Sequence, residues 1–314
     1  MRNSAIAVSG LRKAYGDKVV LDGIDLDVSA GTVFSLLGPN GAGKTTTVNV
    51  LTTLMKADGG TVRVAGHDVA TEARAVRAVI GVTGQFAAVD DLLTGQENLQ
   101  LMADLHHLRA GEGKRVVTSL LARFDLAESA RKMAATYSGG MRRKLDLAMT
   151  LVTRPQIIFL DEPTTGLDPR SRRTMWHIVR ELVADGVTVF LTTQNLEEAD
   201  QLADRIAVLD QGHLVAEGTP GELKRQVPGR HFLLRFADAG ELGAAARVLT
   251  GSTPDDEDLT LRVPSDGGAT SLRALLGRLD EHSIDVEEFS MHTPDLDDVF
   301  LALTSHASTE AIAS

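Results

Sequence analysis

The sequence predicts an α/β fold in which a helix-covered sheet carries a helical subdomain and is followed by a small α/β domain. Three observations carry that expectation. Short β-rich runs alternate with helical stretches over the first two-thirds of the 314 residues, as in a sheet buried on both faces. Strand patterning stops between about Phe86 and Val152. Charge divides unevenly: residues 1–218 carry 24 Lys or Arg and 26 Asp or Glu, whereas residues 219–314 carry 8 and 17, an asymmetry that suggests two modules.

In chain order, Val33–Leu37, Val79–Val82, Ile157–Leu160, Val187–Thr192 and Ile206–Leu209 are the expected strands. Leu99, Leu101, Met102 and Leu105, then Val116, Leu120, Leu121 and Phe124, follow helical spacing, so an all-helical insertion is expected at about 86–152. Gly218, Pro220 and Gly221, then Pro228 and Gly229, bracket a helix-compatible stretch at Glu222–Gln226. That punctuation places the first domain at 1–227, the second at 228–304 and a flexible tail at 305–314. In the second domain His231–Phe236, Leu259–Val263 and Ile284–Phe289 read as strands, and Glu241–Leu249, Ser271–Leu279 and Asp295–Leu303 as helices. Thr293 is the expected N-cap of the last helix, with Pro294 in its first turn. Leu296, Val299, Phe300 and Leu303 form one apolar stripe there, fit for a core or an interface.

Composition excludes several classes. A 43% hydrophobic content supports a sizeable core, and a net charge of −11 argues against a nucleic-acid binder with a broadly basic surface. Cysteine is absent, which removes disulfides, thiol catalysis and thiolate metal sites. No apolar run approaches the roughly 18 residues of a membrane span, and Met1–Leu11 has no continuous apolar core. The chain by itself is therefore expected to be soluble and cytoplasmic. No solenoid period and no heptad run is present.

Gly38-Pro39-Asn40-Gly41-Ala42-Gly43-Lys44-Thr45 fits GxxxxGK[ST] between an expected strand and a helix-compatible stretch that continues with Thr46. Glycines let backbone amides curl around an anion, and the helix start adds its positive dipole end. Lys44 can reach the β- and γ-phosphates of a nucleotide, and the Thr45 hydroxyl is placed to ligate Mg²⁺. About 115 residues later, Ile157-Ile158-Phe159-Leu160-Asp161-Glu162 ends an apolar strand in two carboxylates. Asp161 is suited to holding Mg²⁺, mainly through water, and Glu162 to polarising an attacking water.

Tyr137-Ser138-Gly139-Gly140-Met141 precedes that strand and opens an amphipathic helix through Leu145, Ala148, Met149 and Val152. Its free amides and the Ser138 hydroxyl make a second anion site. With the phosphate loop and the Asp161-Glu162 strand, this segment resembles the ATP-binding subunits of ABC transporters. The resemblance implies an ATP- and Mg²⁺-dependent ATPase that sandwiches nucleotide in a head-to-tail dimer, the Ser138, Gly139 and Gly140 loop of one chain facing the phosphate loop of the other. It further implies that Tyr15 stacks on adenine, that Gln85 touches Mg²⁺ or water and couples to the membrane partner, and that Asp168, in Gly166-Leu167-Asp168, contacts the dimer partner. Gly and Asp are equally what any turn would use there.

Where most ABC ATPases have a switch histidine, Thr192-Thr193 is followed by Gln194, an amide that donates to a γ-phosphate but carries neither proton nor charge. Gln194, the Ser-Gly-Gly-Met variant and Thr293-Pro294-Asp295-Leu296-Asp297-Asp298-Val299-Phe300-Leu301 together resemble the daunorubicin-resistance type of drug-export ATPase. That subgroup implies a separate multi-spanning permease, a location on the cytoplasmic face of the membrane, and a regulatory or assembly role for the C-terminal domain. No nucleic-acid partner is expected. A soluble ABC-type ATPase acting on DNA or ribosomes is the competing reading, and a nucleotide-gated binding module that hardly hydrolyses is the third. Arg142, Arg143 and Lys144 are expected on a solvated face, Asp255-Asp256-Glu257-Asp258 in a solvated turn, and Trp176 partly buried without a functional role.

Overall fold

The computed structural model describes residues 4–84, 88–226, 230–266, 268–292 and 294–302. The chain packs as two compact units, residues 1–220 and 221–314. The expected boundary at 227/228 falls among residues 227–229, outside the described residues, as does the expected tail at 305–314. No helix among the described residues is long and apolar enough to cross a membrane.

In chain order the first unit contains β1 (Ser4–Tyr15), β2 (Lys18–Ser29), β3 (Val33–Leu37), α1 (Lys44–Leu51), β4 (Gly59–Val64), β5 (His67–Asp68), α2 (Ala73–Val79), β6 (Ile80–Thr83), α3 (Gly95–Leu105), α4 (Ala110–Arg123), α5 (Gly139–Thr150), β7 (Ile157–Asp161), α6 (Pro169–Ala184), β8 (Thr188–Thr193), α7 (Leu196–Leu202), β9 (Arg205–Asp210) and β10 (His213–Gly218). The central sheet runs β10-β9-β3-β8-β7-β6, with every neighbour parallel except the β10–β9 edge pair. Alternation along these strands separates two cores: Ile158, Leu160, Val189 and Leu191 pack with the helical subdomain and α6, whereas Phe34, Phe159, Phe190 and Leu209 face the other way. On the second face three phenylalanines from neighbouring strands pack together, Phe34 stacked on Phe190 at 5.6 Å and Phe159 tilted against it at 5.5 Å between ring centroids. The helical insertion lies where the periodicity puts it, in α3 to α5.

A second, antiparallel sheet in order β2-β1-β4-β5 covers the phenylalanine face, and the strand runs read from the sequence did not include it. Ile24, Leu26 and Val28 point inward while Asp25 and Asp27 are exposed, the alternation of a half-buried strand. Bulges between Val8 and Leu11 break the same pattern in β1.

The second unit contains α8 (Pro220–Gln226), β11 (His231–Arg235), α9 (Ala239–Val248), β12 (Thr253–Asp255), β13 (Thr260–Pro264), α10 (Ala269–Glu281), β14 (Glu288–His292) and helical residues 296–302. Its sheet is antiparallel, in order β12-β13-β11-β14, and Phe232, Leu234, Leu261, Leu242 and Leu279 form its core. The expected strand at Ile284–Phe289 begins only at Glu288. Ile284 and Val286 spend their apolar surface on the core without a ladder partner. Thr293 lies outside the described residues, and the last helix is capped reciprocally by Asp295, which accepts from the Asp298 amide at 3.0 Å, and by Asp298, which accepts from the Asp295 amide at 3.1 Å. Leu296 and Val299 of the stripe are buried, and Leu303 lies outside the described residues.

Candidate functional site

The C-terminal ends of β3, β7 and β8 converge, the edge where parallel α/β sheets place their ligands. Gly38 begins the loop after β3, and its amide donates to Thr193 O at 3.3 Å. A Cβ at Gly38 would lie 2.2 Å from Leu209 O, so close approach to β9 requires glycine. Gly43 caps α1 at φ 113°, a conformation that L side chains rarely adopt, and a Cβ there would meet Leu21 at 2.6 Å. The loop is braced from behind, where the Gly212 amide in the β9–β10 turn donates to Ala42 O at 3.1 Å. Pro39, Asn40 and Gly41 complete the loop, and Thr46 follows in the first turn of α1.

Lys44 is buried, and its Nζ donates to the carbonyls of Gly38 (2.8 Å) and Pro39 (3.1 Å). It also lies 3.5 Å from Glu162 Oε1, whose side chain is 10% exposed. Thr45 Oγ1 donates to Asp161 Oδ2 at 3.1 Å, and the Thr192 hydroxyl donates to Asp161 Oδ1. The next residue, Glu162, has φ 48°, which costs a non-glycine residue about 1–2 kcal/mol. Its amide donates to Thr192 O (3.1 Å) and Thr192 Oγ1 (3.2 Å), and its Oε2 accepts from Thr165 Oγ1 at 3.2 Å. One cation, two carboxylates and a metal-competent hydroxyl therefore meet at the mouth of a cradle that glycine keeps open.

This donor set fits Mg²⁺ with a nucleotide. Mg²⁺ takes oxygen ligands and is held by one or two carboxylates plus substrate phosphates. No cluster of three or more His, Cys, Asp or Glu suited to a metal exists among the described residues.

Gln194 is exposed directly after β8, one residue beyond the carbonyl that receives the Gly38 amide. Asn195 rather than Gln194 caps α7, accepting from the Glu198 amide at 3.3 Å. Tyr15 is half-exposed at the turn of the hairpin whose return strand packs on Gly43, and its hydroxyl contacts Met55 Sδ at 3.0 Å. Gln85 lies outside the described residues. Ser138 caps α5, accepting from the Met141 amide at 3.2 Å, with Gly139 and Gly140 as its first residues. Asp168 caps α6, accepting from the Ser171 amide (3.0 Å) and hydroxyl (2.5 Å). Those two bonds hold its carboxyl below the ordinary aspartate range.

The solvated face expected for Arg142, Arg143 and Lys144 is corrected at Arg143, which is 7% exposed. Its guanidinium is paired with Asp146 at 3.2 Å and donates to three backbone carbonyls beside the site. Burial pushes Arg143 below the usual arginine value and the Asp146 carboxyl up, the latter opposed by the Ala88 amide and the Arg143 charge. Arg142 pairs with Asp91. Sequence reasoning also missed Glu198, which accepts from Thr164 Oγ1 (2.8 Å) and from Trp176 Nε1 (3.2 Å). Burial pushes its carboxyl up, and Trp176 thereby has a definite task as its donor.

Residues 21–165 match the family described as ABC transporter, and residues 218–304 match the ATP-binding protein DrrA1-3-like C-terminal domain. The osmosensitive K⁺ channel His kinase sensor domain matches 107–226, a stretch without the phosphate loop. The chain is 52% identical to the daunorubicin resistance ATP-binding protein DrrA3 of Streptomyces coeruleorubidus over 97% of each chain. It is 37% identical to the Nod factor export ATP-binding protein I of Burkholderia orbicola, covering 97% of this chain and 98% of that one. A solved ATP-binding subunit of an ABC transporter superposes at a TM-score of 0.64 with 28% identity, over 71% of this chain and 93% of that one. With a fitting phosphate site and full-length relatives of this kind, the chain belongs to the ABC transporter ATP-binding proteins, in the DrrA family, and is an ATPase.

Proposed function

We propose that the chain hydrolyses ATP to drive a separate multi-spanning permease that exports a drug-like or lipophilic compound, working at the cytoplasmic face of the membrane as a head-to-tail dimer. The observation that carries the catalytic part is the convergence of Lys44, Thr45, Asp161 and Glu162 at one sheet edge. The transport part rests on relatives named for drug resistance and Nod factor export. In this reading residues 228–304 form an accessory domain that regulates or assembles the complex.

Lys44 leaves the Gly38 and Pro39 carbonyls for the β- and γ-phosphates, which are stronger, charged acceptors. The Gly38 to Gly43 loop presents the free backbone amides after Pro39, which has none itself, and Thr45, Thr46 and Tyr15 complete the nucleotide contacts. Thr45, Asp161 and Gln85 would hold Mg²⁺, which supplies charge neutralisation between the phosphates when bound. Glu162 accepts a hydrogen bond from the attacking water and orients it in line with the leaving oxygen. Gln194 donates its amide to the γ-phosphate. The partner's copy of the Ser138, Gly139 and Gly140 helix start faces that phosphate, and Asp168 borders the dimer contact. The presence of two anion-suited helix starts in one chain supports a dimer, since one bound nucleotide does not need both.

Gln194→Ala is expected to reduce turnover about 10- to 100-fold, the scale of losing one hydrogen bond to a charged group. A phosphate-release assay showing near-normal turnover would reject the γ-phosphate contact. The whole reading is tested by affinity purification of the tagged protein from detergent-solubilised native membranes, with and without ATP, followed by mass spectrometry. Specific recovery of a multi-spanning permease is the expected result. Recovery of ribosomal or DNA-repair proteins alone would overturn the transport assignment and leave the ATP site standing.

A further inference from the structure

Arg143 uses four N–H groups on partners from three places. Nε donates to Pro163 O at 2.9 Å, Nη2 to Asp161 O at 3.2 Å, and Nη1 to Gly84 O at 2.8 Å and to Asp146 Oδ2 at 3.2 Å. Asp146 Oδ1 in turn accepts from the Ala88 amide at 2.9 Å. Both side chains sit on α5, the helix that Ser138 starts, and both are more than nine-tenths buried.

Two features give this arrangement a consequence for catalysis. Asp161 O and Pro163 O belong to the residues on either side of Glu162, so one rigid guanidinium fork grips the backbone on both flanks of the residue assigned to the water. Glu162 itself stands at φ 48°, and strained backbone of this kind persists only where its surroundings over-determine it. Its amide is tied to Thr192 and its carbonyl accepts from the Thr165 amide at 3.3 Å, and the Arg143 fork adds a hold on the carbonyls of both flanking residues. Gly84 and Ala88 are held by the same pair, so α5 is locked both to the segment after β6 and to the end of β7.

We propose that Arg143, oriented by Asp146, is a positioning residue for hydrolysis that holds the Glu162 backbone in its left-handed conformation and ties it to α5, the helix that Ser138 starts. The proposal rests on the assignment of Glu162 to the attacking water. A lysine in place of Arg143 keeps a charge for Asp146 but loses the planar fork that serves several carbonyls at once.

The test is steady-state and single-turnover ATP hydrolysis by the full chain carrying Arg143→Lys, Asp146→Asn, Glu162→Gln and the Arg143→Lys/Glu162→Gln double change. For Arg143→Lys we expect kcat to fall about 10- to 100-fold with the KM for ATP within about threefold, the signature of an interaction that matters in the transition state. In the double variant we expect no loss beyond that of Glu162→Gln alone, because both changes act through one side chain. Asp146→Asn keeps an acceptor for Ala88 and is expected to lose about 3- to 10-fold; it carries the test if Arg143→Lys fails to fold. A kcat within twofold of wild type in the folded variants overturns the proposal. So does an Arg143→Lys loss that multiplies undiminished with that of Glu162→Gln, since this marks a general structural role. Wild-type turnover in Glu162→Gln alone would instead refute the assignment of Glu162, a result distinct from either.

Discussion

Glu162→Gln is expected to lower ATP turnover at least about 100-fold, the lower end of what a positioned general base contributes, while ATP binding stays within about threefold. The substitution is nearly isosteric. It keeps the Thr165 contact at 3.2 Å and the amide bonds to Thr192, so the loop should hold its shape. What it removes is the acceptor strength that draws a proton from water, together with the negative charge 3.5 Å from Lys44. The ATP-bound state should then persist, and size-exclusion chromatography with ATP and Mg²⁺ should show the proposed dimer at a higher population than in wild type. Unchanged phosphate release would remove Glu162 from its role. Lost turnover with no ATP-dependent dimer would remove the head-to-tail arrangement instead.

Gly38→Ala is the second large expectation, and it acts on stability and binding together. The new methyl would stand 2.2 Å from Leu209 O and 3.3 Å from Leu209 C, both backbone atoms of β9, which pairs with β3 through Leu37 and Val208. Backbone in the middle of a sheet cannot step aside as a flexible side chain would. Overpacking of this kind costs about 1–3 kcal/mol and occasionally more, and we expect the upper end, about 3 kcal/mol. For a unit of this size that lowers the unfolding midpoint by about 6–12 °C. Any relief by shifting the loop moves the Gly38 amide off Thr193 O and spoils the phosphate cradle, so a fluorescent ATP analogue should bind at least about tenfold more weakly, a shift of about 1.4 kcal/mol. An unchanged melting curve with unchanged analogue binding would show that the close approach is not a constraint.

The contrast between these residues and Arg143 shows how sequence and structure divide the site. Gly38 to Thr45 are contiguous, and a phosphate cradle needs only a strand, a glycine-rich turn and a helix start in succession, so its chemistry is written locally. Asp161 and Glu162 are legible for a similar reason: an apolar strand that ends in two carboxylates places them at a sheet edge. Arg143 is one more cation beside Arg142 and Lys144, and its single partner within one helical turn, Asp146, is as compatible with a solvated pair as with a buried one. Its three carbonyl partners lie 18, 20 and 59 residues away. Glu198 and Trp176 are the same case, 22 residues apart and joined only by packing. The antiparallel sheet carried a usable signal in the Ile24 to Val28 alternation, although bulges in β1 interrupt the matching pattern across the hairpin.

The sequence by itself determined the α/β class, the helical insertion, the phosphate loop and the two carboxylates, because each is a short-range pattern of periodicity or spacing that the backbone reads locally. The tertiary structure alone decided that Lys44 meets Glu162, that Thr45 and Thr192 share Asp161, and that a buried arginine grips both flanks of Glu162. Those facts depend on which strands become neighbours. The order β3-β8-β7 brings together residues more than a hundred positions apart, and only the packing of two cores on the faces of one sheet fixes that order.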